Sequence, residues 1–198
     1  HRGRNYMDSV SILICSYKGS KYLERCTDSI KETTRGWNAE ILFDVERKRT
    51  GLVRTPARYQ KLWERAQGRI VVKSDDDILY FPGWLESCVS VLDNFPEVGY
   101  VSPLNHKILK ANGHADLYTE GPIITSAKIA EPASFLAGGC WVMRKDLWEK
   151  VPYGNLSGVK TLDSNFGAAV REAGLKPVYL SHVLCSHLGV DRHGGVDL

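Results

Sequence analysis

No apolar run in the chain approaches the roughly 18 residues that a membrane-spanning helix needs. The opening residues, HRGRNYM, also lack the charged-then-apolar layout of a secretory leader. There is no C-x-x-C pair. The five cysteines, Cys15, Cys26, Cys88, Cys140 and Cys185, are widely spaced, odd in number and each set in an apolar pattern. That excludes a fully paired disulfide framework and predicts reduced core thiols. Charge of one sign is scarce as well: 26 Lys and Arg against 23 Asp and Glu leave +3 with neutral histidines. A protein that grips nucleic acid without regard to sequence carries a stronger, more clustered basic excess, although a nucleic-acid substrate stays open. No repeat, low-complexity tract or linker divides the 198 residues, a length suited to one domain with its own core. The expectation is a cytoplasmic protein with one domain over residues 9–198. Residues 1–8 are expected to be a tag or a disordered tail, with Met7 a candidate initiator.

What the chain does have is an alternation of strands and helices. VSILICS (10–16) is an almost unbroken apolar run, the signature of a central parallel strand covered on both faces. Leu23, Cys26 and Ile30 then fall at helical spacing, and the helix should end before Gly36. AEILFDV (39–45) predicts a second strand. Thr55-Pro56 opens a helix as cap and first helical residue, Tyr59, Leu62, Trp63 and Ala66 continue it, and Gly68 stops it. RIVV (69–72) predicts a third strand, a helix carrying Trp84, Leu85, Cys88, Val91 and Leu92 follows Pro82-Gly83, and VGYVS (98–102) is a fourth strand. Residues 104–133 read as a long, partly ordered excursion of the kind that carries function. Apolar content returns in SFLAGGCWVMR (134–144), then come a short helix at Asp146–Lys150, a loop with Gly154 and Gly158, a helix over Leu162–Ala173 closed by Gly174, and final strands at KPVYL and VLCSH. This order predicts a mainly parallel α/β sheet with helices on both faces. In such sheets ligands sit at the carboxyl ends of the strands.

Three carboxylates stand at one such end. In GRIVVKSDDDILYFPGWLE, Asp75, Asp76 and Asp77 follow directly on a run of buried-strand residues. On extended backbone Asp75 and Asp77 would share a side while Asp76 faces elsewhere. Carboxylate oxygens at that position suit a hard divalent cation such as Mg²⁺ or Mn²⁺, which shares its remaining sites with water and phosphate. The competing reading is a solvated acidic turn or a helix cap.

Four blocks in order carry a resemblance. VSILICSYKGSKYLERCTDSI, TPARYQKLWERAQGRIVVKSDDDILYFPGWLE, FLAGGCWVMRKDLWEKV and LDSNFGAAVREAGLKPVYLSHVLCSHLG together resemble the GT-A fold glycosyltransferases, close to the large family 2 group, over most of residues 9–190. Two departures stand out. Leu162 occupies the place of the acidic residue that usually precedes the late aspartate, and DVERKRTG replaces the usual Asp-rich turn after the second strand.

The resemblance implies a GT-A (Rossmann-like) catalytic domain that moves a sugar from a nucleoside-diphosphate donor, expected to be a UDP-sugar, to an acceptor hydroxyl with inversion, as a hexosyltransferase-type enzyme. The acceptor would be a glycan, a lipid, a small molecule or, as a narrower variant prompted only by the mild basic bias, modified DNA. In the family the last aspartate of the Asp-x-Asp reaches the metal and the first contacts the sugar or ribose, here Asp77 and Asp75. Asp77, Asp75 and His187 are thus the candidate ligands of Mn²⁺ or Mg²⁺; an imidazole ligand slightly favours manganese. Asp163 matches the family's general base, although an aspartate in a helix's first turn is also favoured simply by the dipole. Ser16, Tyr17, Asp44 and Glu46 are candidate contacts to the base or ribose, and Arg58 to the diphosphate. Asp75 and Asp76 are candidate donor contacts, and Gly138 and Gly139 would let backbone approach the sugar closely. Two readings from other classes stay in view: a nucleotidyltransferase, whose glycine-rich, lysine-bearing phosphate signature is missing from CSYKGSKY, and a noncatalytic nucleotide-binding module with a degenerate transferase fold.

Overall fold

The computed structural model describes residues 9–17, 20–46, 55–103, 139–151, 162–180 and 184–188. The excursion at 104–133, Gly138, the Gly154–Gly158 loop, residues 1–8 and the chain end lie outside them, as do the side chains of Asp163 and His187.

The first strand, β1 (Ser9–Tyr17), is buried almost throughout, with Ile12, Leu13 and Ile14 fully enclosed. Its neighbours are β2 (Asn38–Glu46) and β3 (Ile70–Asp75), both parallel to it. Helices α1 (Leu23–Thr33) and α2 (Thr55–Arg65) make the crossovers. At the end of α2, Gly68 passes so close to β1 that a Cβ would collide with the Ser11 nitrogen, and its own N–H donates to Ser11 Oγ at 2.7 Å. Only glycine allows that approach.

After β3 come a three-residue strand β4 (Ile78–Tyr80), helix α3 (Trp84–Asn94), β5 (Val98–Ser102), β6 (Cys140–Arg144) and the short helix α4 (Asp146–Lys150). Helix α5 (Leu162–Glu172), β7 (Lys176–Tyr179) and β8 (Cys185–His187) follow. The main sheet runs β2-β1-β3-β6-β5-β7. It is mainly parallel, as the alternation predicts, with β6 antiparallel to both β3 and β5. Antiparallel to its neighbours, β6 starts from the carboxyl edge at which β5 ends. Strands β4 and β8 pair antiparallel in a small second sheet.

The period of two along the strands sorts the core into two layers. Val10, Ile12, Ile14, Ile70 and Val72 pack beneath α1 and α3, against Cys26, Ile30, Trp84, Leu85 and Cys88. Leu13, Val71, Trp141 and Met143 face the other way, onto Tyr59, Leu62 and Trp63 of α2 and Phe166 and Val170 of α5. The result is one α/β domain in three layers.

Candidate active site

Parallel pairing brings the ends of β1, β2 and β3 to one edge. Cys15 is in register with both Asp44 and Asp75, Ser16 with Val45, and Tyr17 with Glu46. Five residues singled out in the sequence, Ser16, Tyr17, Asp44, Glu46 and Asp75, therefore share that edge.

The aspartates differ from the extended arrangement. β3 ends at Asp75, and Asp76 and Asp77 form the turn into β4. Asp76 points back across the edge, where its Oδ2 accepts a short hydrogen bond from Ser16 Oγ; that hydroxyl in turn accepts from the Ser20 N–H at 3.1 Å. The turn is thereby stitched to the end of β1. Asp75 donates its N–H to the Gly139 carbonyl at 2.8 Å, which places Gly139 beside it. The Asp77 carbonyl accepts from the Leu188 N–H at 2.6 Å, and His187 is paired with Ile78, the next residue along. The backbone of β8 is thus built onto the aspartate turn.

Arg58, in the first turn of α2, reaches the same edge. Its Nε donates to Asp44 Oδ2 at 3.0 Å, its Nη2 to the carbonyls of Ser16 at 2.9 Å and Asp44 at 2.5 Å, and its Nη1 lies 3.5 Å from Glu46 Oε2. Burial works against its charge, but the hydrogen bond it donates to Asp44 and the fields of Cys15, Asp44 and Glu46 outweigh it and raise the guanidinium's pKa further. In this state Arg58 holds β1 to β2 and sets both acids.

Asp163 lies in the first turn of α5. A tight turn through Gly174, at φ 76°, joins α5 to β7, so the helix runs back along the sheet and its first turn stands at the far end from that turn. One helical turn after Asp163, Phe166 stacks on Trp141 with ring centroids 4.9 Å apart.

No protein-family model and no curated protein sequence matches the chain. Solved structures do. A mannosyltransferase, PcManGT from Pyrobaculum calidifontis in complex with GDP-Man and Mn²⁺, superposes with a TM-score of 0.67 at 17% identity, over 95% of this chain and 59% of its own. S. aureus TarS 1-349 does so with a TM-score of 0.54 at 11% identity, over 87% of this chain and 58% of its own. The chain has the GT-A glycosyltransferase fold. It spans less than two thirds of the length of either structure.

Within this GT-A domain, the described donors at the carboxyl edge are carboxylate and carbonyl oxygens, the chemistry a hard divalent cation takes. Among the described side chains no group of three or more His, Cys, Asp or Glu closes around a metal position. An ion that uses one or two carboxylates and completes its shell with donor phosphate and water needs no such cage, so the residues present fit Mg²⁺ or Mn²⁺ bound together with a nucleotide. No helix among the described residues is long and apolar enough to cross a membrane.

Sequence reasoning passed over Lys73. It lies on β3 two residues before Asp75, is only 4% exposed, and sets its Nζ 3.3 Å from Asp75 Oδ1. The signal was a lysine inside an apolar strand, which alone does not tell a buried cation from an outward-facing one. The thiols nearby are inert: burial pushes Cys15 and Cys26 up to about 12.

Proposed function

We propose that this domain transfers a sugar from a nucleoside-diphosphate donor to an acceptor hydroxyl, with Mn²⁺ or Mg²⁺ bound alongside the donor. One observation carries the reading: the Asp75–Asp77 turn sits at the carboxyl edge of a GT-A sheet, fastened to β1 through Ser16 and to β8 through Leu188. Asp77 is the first candidate ligand for the cation, with His187 beside it in the chain's pairing and Asp75 at the sugar or ribose. When bound, the cation supplies Lewis-acid stabilisation of the charge on the leaving diphosphate. Ser16 and Tyr17 meet the base, and Asp44 and Glu46, preset by Arg58, offer acceptors to base or ribose. The mannosyltransferase's GDP-Man makes GDP-sugars as fitting a trial as UDP-sugars.

Asp163 takes the proton of the acceptor hydroxyl as its oxygen attacks the anomeric carbon; the bond from that carbon to the diphosphate oxygen breaks, and the nucleoside diphosphate leaves. Direct displacement with a single base gives inversion.

A panel of UDP- and GDP-sugars with Mn²⁺, scored for donor hydrolysis and thermal stabilisation, tests the reading. Stabilisation by a nucleoside diphosphate should require Mn²⁺ or Mg²⁺ and should be lost in Asp77→Asn with the fold intact. Equal stabilisation in excess chelator, or release of pyrophosphate in place of nucleoside diphosphate, overturns it. Asp163→Asn should keep metal-dependent nucleotide affinity while turnover falls by about 10²- to 10⁴-fold, the usual share of a general base. Near-parental turnover removes Asp163 from the mechanism.

A further inference from the structure

Lys73 is hard to justify as packing. It sits in mid-sheet, in register with Leu13 of β1 and Trp141 of β6. Its face is that of Val71, with the apolar layer of Tyr59, Trp141 and Phe166 around it. An ammonium taken out of water there is unfavourable unless paired, and an apolar side chain of similar volume usually does as well or better. The described surroundings are arranged around the charge. The Trp141 ring lies 4.7 Å from Nζ and the Tyr59 ring 5.1 Å, both offering the negative faces that attract a cation. Asp75 Oδ1 lies 3.3 Å away, and the Tyr59 hydroxyl, 2.7 Å from the Ser74 carbonyl, comes within 3.4 Å of the same oxygen. The two partners differ sharply in position: Lys73 is enclosed, whereas the Asp75 side chain is 41% exposed at the carboxyl edge. The pair is anchored from inside and opens outward.

We infer that Lys73 is a positioning residue for Asp75: from beneath the edge it holds Oδ1, so that the carboxylate stands in one rotamer and presents Oδ2 to a bound nucleoside-diphosphate donor. This rests on the reading of the Asp75–Asp77 edge as the donor site. It adds a residue that does not touch the donor but sets one that does.

Parent, Lys73→Met, Asp75→Asn and the double variant are compared by melting temperature, by crystal structures without ligand, and by calorimetric binding of GDP and UDP with Mn²⁺. Lys73→Met should melt at or above the parent, since a buried cation gives way to an apolar side chain, yet show Asp75 in more than one rotamer. Its Kd for the Mn²⁺–nucleotide should rise by about 10- to 100-fold, as when the partner orienting a site residue is removed. Asp75→Asn should melt several degrees lower, with adding Lys73→Met restoring most of that loss and weakening binding no further. A single Asp75 rotamer together with parental affinity in Lys73→Met overturns the inference, as does a further loss of binding in the double variant. If the parent binds neither nucleotide with Mn²⁺, the donor-site reading falls, while the rotamer and melting comparisons still decide whether Lys73 positions Asp75.

Discussion

Arg58 spans three strand-end partners with one planar guanidinium, and that geometry makes its replacement by lysine severe. An ammonium carries the same charge but cannot direct separate N–H groups at the Asp44 carboxylate, the Asp44 and Ser16 carbonyls and Glu46 at once. Arg58→Lys should therefore destabilise the domain by about 1.5–3 kcal/mol, the range for hydrogen bonds to charged groups. Denaturant unfolding checks this, and a loss below about 0.5 kcal/mol would reduce the clamp to a surface ion pair. The aspartates were legible in the sequence because their meaning is local: three carboxylates end a run of buried strand. Arg58's partners were not. Its sequence suggested a cation facing phosphate, whereas the acids that hold it here come from the preceding strand and are brought into reach only by the α2 crossover.

At the scale of elements, β4 and β8 turn the end of the chain into a support for the site. The Leu188 N–H is one of the bonds holding the Asp77 carbonyl side of the turn, so Leu188→Pro removes a donor without touching the two core layers. The expected result is a stability loss of about 1 kcal/mol with a clear fall in Mn²⁺-dependent nucleotide binding, compared by calorimetry and melting temperature on one preparation. Parental binding would mean that the turn holds its shape without β8. The strand at 185–187 was foreseen from VLCSH, but ILY was not foreseen as a strand, since three residues carry no measurable period. The antiparallel course of β6 was equally hidden, because strand periodicity is the same in either direction.

For the molecule as a whole, four buried thiols and the partly buried Cys15 give a pH signature. Burial raises Cys15, Cys26 and Cys140 from the ordinary 9.0 to about 12, and Cys88 and Cys185 well above it. A folded-state value above the unfolded one means that the native protein keeps a proton the unfolded chain gives up. The stabilisation is fully present below pH 9 and is lost as pH rises toward 12, by about 1.4 kcal/mol per pH unit for each thiol. Cys140→Ala should lower stability at neutral pH through its cavity, yet show a shallower decline between pH 9.5 and 11 than the parent in denaturant titrations; equal slopes would mean that Cys140 ionises in the folded state as readily as in the unfolded one. The reduced state of these core thiols follows from sequence pattern alone, as do the strand–helix alternation, the apolar stripes and the acidic end of β3. Each depends on residues a few positions apart, where side-chain period and turn chemistry act directly. The strand order, the reversal of β6, the Arg58 clamp and the pairing of Lys73 with Asp75 were decided only by tertiary structure. In the first three, residues far apart in the chain are brought together. In the last, neighbours on one strand acquire their meaning only when Tyr59 and Trp141 close over the lysine and exclude the water that would otherwise solvate it.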